Sequence, residues 1–166
     1  MKKIAIAIGM ALSVSASTHA ANGPTLNTAT GTLEMTQGCE IALTLQTPEA
    51  KMNLADAKDG IRFTTVTATP TCEGQVWIHP DGERDGNGRG LMTSERGAEA
   101  SYAIVSVAGS TIDQKDADGR YDVLSNGALP AGGNAVASVQ LTNGWKGLPT
   151  TADKYVYKIA TGFVTE

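Results

Sequence analysis

The sequence predicts an all-β fold, an antiparallel β-sandwich held by one disulfide. Three observations predict it. Short segments with alternating or β-branched apolar residues recur along the chain, and turn signals built from Gly, Asn, Asp and Pro separate them at intervals of about ten residues. The chain also contains just two cysteines, Cys39 and Cys72. Its length of 166 residues fits one domain with its own core.

Residues 1–20 have the pattern of a secretory signal peptide. Two lysines precede a mostly apolar run at 4–14, and the small residues Thr18 and Ala20 stand where signal peptidase requires them. The apolar run is too short to cross a bilayer core of about 30 Å as a helix. We therefore expect an exported protein that is cleaved after Ala20.

Export decides the expected chemistry of Cys39 and Cys72. In an oxidising compartment a lone pair of cysteines predicts a disulfide, whereas metal or redox chemistry is the first expectation only in the cytosol. These two cysteines and the one histidine after residue 20, His79, are too few for a closed zinc site. Closing the loop between the cysteines would stabilise the domain by roughly 3–4 kcal/mol.

The first elements of the exported chain are read from its periodicity. Residues 21–38 are polar and threonine-rich, and positions 31–36 within them alternate with period two. Residues 40–46 alternate as well, and they place on one face Ile41, Leu43 and Leu45. The segment 48–60 is the one piece with a helical composition, and Asp-Gly ends it.

The remaining strands are separated by glycine-rich turns. We predict strands at 61–69, 75–79, 100–108, 120–124, 135–142 and 154–164. Trp77 lies in the middle of its strand and is predicted to pack in the core. Loops 81–90 and 113–120 are predicted to be solvated, and such loops are where a binding surface would lie. Trp77 and Trp145 are both candidate contact residues if they are exposed.

Charge and residue types exclude several classes of function. The formal charge of −4 argues against nucleic acid as a partner, because phosphate binding needs a basic face. A Ser-His-Asp site would have to use His79, which stands between apolar Ile78 and Pro80 and is predicted to be structural. No pair of carboxylates is singled out for catalysis. We expect no enzyme activity and no cofactor.

Two acidic runs imitate calcium loops. Asp81, Glu83 and Asp85 match the start of such a loop, but its twelfth position is Met92 rather than Glu. The run at 116–122 is incomplete in a similar way. Turn formation explains both runs better, since Asp and Gly are typical turn residues. The sequence therefore predicts no metal site.

Three stretches together resemble the Afa/Dr family of fimbrial and afimbrial adhesins, which are assembled by the chaperone–usher pathway of Gram-negative bacteria. Residues 32–41 (TLEMTQGCEI) are similar to the strand that leads into the family's first cysteine. Residues 66–76 (VTATPTCEGQV) are similar to the segment around its second cysteine, and residues 154–164 to its final strand. The order and spacing of the three stretches also suit the family.

The resemblance implies an immunoglobulin-like fold over residues 39–166 that is incomplete because it lacks its last strand. Residues 21–38 would be the donor-strand extension, which fills the same gap in the next copy. Before assembly a periplasmic chaperone would fill it, and an outer-membrane usher would export the subunits. The implied donor residues are Ala29, Gly31, Leu33 and Met35. The implied acceptor groove is lined by Tyr155, Tyr157, Ile159 and Phe163.

The expected function is that of a surface-exposed fimbrial adhesin subunit. Such a chain passes through the periplasm to the cell surface, polymerises by strand exchange and attaches bacteria to a receptor on host cells or matrix. One alternative is a tip, invasin-type subunit, which accepts a strand but donates none; the alternation before Cys39 favours a donor. The other alternative is a monomeric secreted β-sandwich enzyme or ligand-binding domain. No receptor contact is predicted residue by residue.

Overall fold

A computed structural model describes residues 38–165 of the chain. Within this range the chain forms one short 3-10 turn, Leu54–Asp56, and ten strands. The strands are β1 (Ile41–Leu45), β2 (Arg62–Pro70), β3 (Val76–Pro80), β4 (Gly90–Ser94), β5 (Glu99–Ser106), β6 (Thr111–Lys115), β7 (Tyr121–Ser125), β8 (Ala135–Thr142), β9 (Tyr155–Val156) and β10 (Ile159–Phe163).

The strands form two antiparallel sheets that pack against each other. The larger sheet has the order β1-β2-β8-β5-β4-β9, and the smaller one has the order β10-β3-β7-β6. Residues of β3 and β7 in the smaller sheet lie against β5 in the larger one. The predicted all-β, immunoglobulin-like sandwich is confirmed.

The core lies between the sheets and is built from alternate residues of the central strands. Val66 and Ala68 of β2 and Ala137 and Val139 of β8 are fully buried, since every second side chain of a strand points to the same face. Tyr102 of β5 is the largest fully buried side chain. Its hydroxyl donates a hydrogen bond to a backbone carbonyl of the last segment of the chain, which satisfies its one buried polar atom.

The disulfide joins the beginning of β1 to the end of β2. Cys39 and Cys72 are bonded, with their Cα atoms 5.4 Å apart, and the prediction is confirmed. Beside the bridge, the Thr71 hydroxyl accepts the Glu40 N–H at 2.8 Å. The bridge therefore fixes the register of β1 on β2 at the point where the sandwich begins.

The helix predicted at 48–60 is wrong, because this segment forms only the 3-10 turn at Leu54–Asp56. Met52 and Leu54 are each 40% exposed, and of the segment's apolar residues only Ala57 packs against the core, so the segment lacks a continuous buried apolar face. A short helix without such packing is not stable in water. No helix within residues 38–165 is long and apolar enough to cross a membrane.

Two strands occur where the sequence predicted none. β4 follows the glycine-rich turn at 81–90, and β6 overlaps the segment 113–120, for which the expectation of a loop is wrong. In β6 only Thr111 is buried, and the next four residues are exposed. In the part of the chain that the structure describes, β6 is the outermost strand of the smaller sheet and pairs only with β7. Its side chains are therefore mostly solvated, and it shows no apolar alternation that a sequence could reveal.

The single strand predicted at 154–164 is wrong in one respect, because the chain changes sheets within it. β9 pairs with β4 in the larger sheet, whereas β10 pairs with β3 in the smaller one. The crossing lies at Tyr157 and Lys158. The Lys158 carbonyl accepts the Asp81 N–H at 2.9 Å and also the Tyr102 hydroxyl, and these bonds fix the crossing. Apolar alternation runs through the crossing without a break, so the sequence pattern reads as one strand.

Candidate functional site

The candidate site lies between two strand edges, one from each sheet. β1 is the outermost strand of the larger sheet and pairs with β2, and β10 is the outermost strand of the smaller sheet and pairs with β3. Within residues 38–165 neither strand has a partner on its other side. The two strands are close to each other along one side of the sandwich. Two open edges therefore border the same gap between the sheets.

The backbone of β10 exposes three residues at its open edge. The Asp81 N–H donates to the Lys158 carbonyl at 2.9 Å, and the Val164 N–H donates to the Gln75 carbonyl at 2.8 Å. In an antiparallel ladder the bonded positions alternate, so even-numbered residues bind β3. The intervening positions direct their backbone N–H and C=O groups away from the β3 backbone; these are Ile159, Thr161 and Phe163. Of these groups, the Phe163 carbonyl already accepts a hydrogen bond from the Trp77 side chain.

The backbone of β1 follows the same rule. The Thr71 N–H donates to the Glu40 carbonyl at 2.8 Å, and the Gln46 N–H donates to the Thr65 carbonyl at 2.9 Å, so even-numbered residues bind β2. The other positions direct their backbone groups to the open edge, and their half-buried side chains pack against the core. These positions are Ile41, Leu43 and Leu45.

This arrangement suits the binding of an added strand. Backbone N–H and C=O groups need partners, and a flat edge that offers them is a template for pairing with another chain. The apolar side chains beside each edge are covered only in part. A strand laid between β1 and β10 would pair with open backbone groups and would bury these side chains as well.

The structure divides the four predicted acceptor residues into two pairs. Ile159 and Phe163 belong to β10 and border the gap, whereas Tyr155 belongs to β9 and Tyr157 to the crossing. All four are partly buried and pack against the core. Both tyrosines line a cavity of about 590 Å³, together with Phe63 and residues of the segment 48–57.

Tyr157 is the aromatic centre of that cavity wall. Its ring packs edge-on against Phe63 with centroids 5.1 Å apart and against Tyr102 with centroids 5.7 Å apart. Its buried hydroxyl has no hydrogen-bond partner among the residues that the structure describes, and burial raises the pKa of Tyr157. The part of the cavity wall around Tyr157 is therefore aromatic, and it contains one buried hydroxyl without a partner among the described residues.

Trp77 is a part of the site that the sequence misplaced. It lies on the outer face of β3 and is half-buried, so the prediction of core packing is wrong. The indole crosses over Gly162 of β10, where a Cβ would collide with it, and its Nε1–H donates to the Phe163 carbonyl at 3.1 Å. His79 stacks against the indole with centroids 4.2 Å apart. A second cavity, of about 320 Å³, lies beside Trp77 and Leu124.

The sequence did not predict that β1 borders the gap. The alternation of its three apolar residues was visible, but the open edge they border depends on which strand lies outermost in the larger sheet. That order is set by pairing between distant segments. The available signal was the position of β1 directly after the first cysteine, between the predicted donor segment and a long irregular stretch.

The single histidine of residues 21–166 lies beside ion pairs on the same outer face. His79 Nδ1 is 3.2 Å from Asp122 Oδ1, and Arg84 Nη1 is 2.6 Å from that same oxygen. Arg84 also lies 3.5 Å from Asp116. Burial and the Arg84 charge lower the pKa of His79, against the opposing effect of Asp122. These contacts give His79 a role in the packing of the sheet face.

Each of the two calcium-like runs contains a turn in which one carboxylate accepts N–H groups of its own backbone. Asp85 Oδ1 accepts the N–H groups of Asn87 and Arg89, each at 2.9 Å. Asp116 Oδ1 accepts the N–H groups two and four residues later, at 2.9 and 2.8 Å. The two turns are therefore built alike. Among residues 38–165 no group of three or more His, Cys, Asp and Glu side chains is placed to hold a metal ion.

The predicted donor residues and the predicted signal peptide lie outside the described residues. This applies to the segments 1–20 and 21–37 and to the donor side chains Ala29, Gly31, Leu33 and Met35. Their roles remain predictions from the sequence.

Comparison with solved structures identifies the fold. The chain is similar to the Escherichia coli Hda pilus minor tip subunit HdaB, with a TM-score of 0.54, 12% sequence identity, and coverage of 77% of this chain and 84% of that one. AggB, the minor subunit of aggregative adherence fimbriae type I from Escherichia coli, gives a TM-score of 0.48 at 16% identity, with coverage of 75% and 83%. The Salmonella SafD adhesin gives 0.49 at 17% identity, with coverage of 75% and 95%.

No protein-family model matches the sequence, and no curated protein matches it. The resemblance to fimbrial subunits is thus confirmed at the level of the fold, through the similarity to HdaB.

Proposed function

We propose that this chain is a fimbrial adhesin subunit that is completed by a strand from another subunit and attaches bacteria to host cells or matrix. The observation that carries the proposal is the pair of open edges on β1 and β10, which border one gap and have half-buried apolar side chains beside them. A monomeric domain with this edge would be prone to uncontrolled association. Regulated strand addition turns the same edge into an assembly site.

The incoming strand would be the segment 21–38 of a neighbouring copy. Its alternation places Gly31, Leu33 and Met35 on one face, which is the pattern that a strand inserted between two sheets requires. Burying Leu33 and Met35 fully would stabilise the joint by about 1.5–3 kcal/mol each. Before assembly a periplasmic chaperone would supply the strand, and an outer-membrane usher would pass the subunits to the cell surface.

Deletion of residues 21–36 from the exported chain tests this proposal. We expect the full exported chain to form ladders of stable oligomers on a detergent gel without boiling, and the deleted chain to form none while still binding its chaperone. Deletion of residues 21–25, which leaves the four donor positions intact, is the matched control and should preserve the ladders. Ladders from the longer deletion would disprove donor exchange through this segment.

A tip subunit is the second candidate, because HdaB, the solved structure with the TM-score of 0.54, is a minor tip subunit of a pilus. A tip subunit would accept a strand and donate none. It would then bind a synthetic peptide of residues 27–37 without forming ladders of its own. A folded monomer that neither polymerises nor binds the peptide would instead indicate a self-contained secreted domain.

A further inference from the structure

Trp145 has a backbone conformation that its residue type rarely adopts. Its φ is 56°, and it is the one residue other than glycine with a positive φ between residues 38 and 165. In this left-handed region a Cβ atom crowds the following carbonyl, so glycine is unstrained there and asparagine is tolerated, whereas a bulky residue is strained. The turn is Asn-Gly-Trp-Lys-Gly at 143–147. The backbone strain of this turn therefore falls on its aromatic residue.

The hydrogen bonds that hold the turn do not use the indole. The Gly147 N–H donates to the Gly144 carbonyl at 3.0 Å, the Lys146 N–H donates to the Ser101 hydroxyl at 2.9 Å, and the Ser101 N–H donates to the Gly147 carbonyl at 2.8 Å. The Arg89 guanidinium also packs on Gly144, where a Cβ would collide with it. Glycine or asparagine at the strained position would leave all of these contacts in place.

The indole does not belong to the hydrophobic core either. Trp145 is 39% exposed and is not among the partly buried residues that pack against the core. Lys146 Nζ lies 5.6 Å from the centroid of the indole and 2.7 Å from Glu99 Oε2. The turn thus holds an aromatic ring at the surface beside an ion pair whose charges already neutralise each other. Strain that serves neither the turn nor the core points to a role outside the fold.

We propose that Trp145 is a contact residue of the attachment surface and that its partner is a protein whose apolar pocket takes up the indole. This inference rests on the attachment function proposed above. Trp145 lines neither of the two cavities, so the ring does not form the wall of a ligand pocket of that kind. An exposed aromatic ring on a rigid turn fits a pocket on the partner. The charged groups beside the ring, Lys146 and Glu99, pair with each other. The ring therefore presents an apolar contact with no net charge beside it, and this suits an apolar pocket on a protein.

The test compares the full chain with its Trp145→Asn variant in two measurements. Asparagine tolerates the left-handed backbone, so we expect the thermal midpoint of the variant to equal or exceed that of the wild type. We expect its binding to cultured epithelial cells to fall by about tenfold or more. Trypsin treatment of the cells should abolish wild-type binding, and periodate oxidation of their surface glycans should not. Ile112→Thr removes an apolar side chain of similar exposure, 37%, from the opposite sheet and should bind like the wild type.

Several results would overturn the inference. A large fall in the thermal midpoint of Trp145→Asn would assign the indole a structural role. Undiminished cell binding by that variant would exclude Trp145 from the attachment surface, and loss of wild-type binding after periodate would indicate a saccharide partner. If the wild type bound no cells at all while its ladders still formed, the attachment function itself would be wrong and the inference would fall with it.

Discussion

His79 shows how a single side chain on the outer sheet face couples the fold to pH. Burial lowers the pKa of His79 below its ordinary value of 6.5, and the nearby Arg84 guanidinium lowers it further. Asp122 and Asp81 act in the opposite direction and do not reverse the shift. Arg84 also binds Asp122 Oδ1 at 2.6 Å, so the charge of Asp122 is already compensated. Asp122 therefore stabilises a protonated imidazole only weakly.

The sign of the resulting pH dependence follows from linkage. Since the folded pKa of His79 is below the unfolded one, the unfolded chain takes up the proton first as the pH falls, so acid destabilises the fold through this residue. The penalty is absent well above pH 6.5 and grows as the pH falls below it. We expect His79→Gln to lose less stability than the wild type between about pH 7 and about pH 5, a range above most carboxyl titration.

Urea denaturation at closely spaced pH values measures this difference. Because residues 21–166 contain no other histidine, the difference between the pH profiles of two proteins that begin at residue 21 belongs to this residue alone. Above about pH 8 the two profiles should run parallel, which serves as the internal control. A wild type that gained stability on acidification relative to His79→Gln would reverse the sign and refute the environment described for His79.

At the scale of the strand, β10 offers two neighbouring positions with opposite backbone roles. Ala160 binds β3 through its backbone, whereas Thr161 directs its N–H to the open edge. Both side chains are half-buried. Proline lacks the N–H group, so it is tolerated at a strand edge only where that group faces away from the partner strand. The two positions therefore separate folding from strand addition.

We expect Ala160→Pro to destabilise the domain by roughly 1–3 kcal/mol, because it leaves a ladder acceptor unpaired. Thr161→Pro should change stability by no more than about 1 kcal/mol, the loss of one hydroxyl hydrogen bond to the Trp77 carbonyl. The same variant should form far fewer oligomer ladders, since an incoming strand loses a backbone partner. Denaturant titration and unboiled detergent gels measure the two effects.

Thr161→Val is the matched control for this pair. It removes the hydroxyl bond to Trp77 and keeps the backbone N–H, so it should form ladders like the wild type. If Thr161→Pro also formed ladders at the wild-type level, the open edge of β10 would not be the place where a strand adds.

At the scale of the whole molecule, the sequence predicted what is locally encoded. The alternation in β2 and β8, and the two cysteines taken together with the expectation of export, sufficed to predict the sandwich and its disulfide. The edge strand β6 was not predicted, because four of its five residues are exposed to solvent. The crossing at Tyr157 and the outer position of Trp77 were not predicted, because both depend on which distant strands become neighbours in a sheet.

The same division applies to the candidate site. The sequence could place Ile159 and Phe163 beside the gap because apolar residues in a segment with a strand pattern are visible in the sequence. The facing edge of β1 was not found, since its exposure follows from the order of six strands in the larger sheet. Local periodicity therefore gives the side chains of a groove, and global topology decides which strand borders it.

The disulfide anchors the open-edged strand β1 to its neighbour β2. Among the described strands β1 pairs only with β2, and the bridge between Cys39 and Cys72 anchors it at one end. Replacing both cysteines by alanine leaves no free thiol, and it should lower the free energy of unfolding by roughly 3–4 kcal/mol, measured by denaturant titration. Hydrogen exchange should also accelerate more at Ala42 and Thr44 of β1, whose amides bind β2, than in the central strand β8. An unchanged unfolding midpoint, or equal acceleration in β1 and β8, would show that the bridge does not hold the open edge of β1 in place.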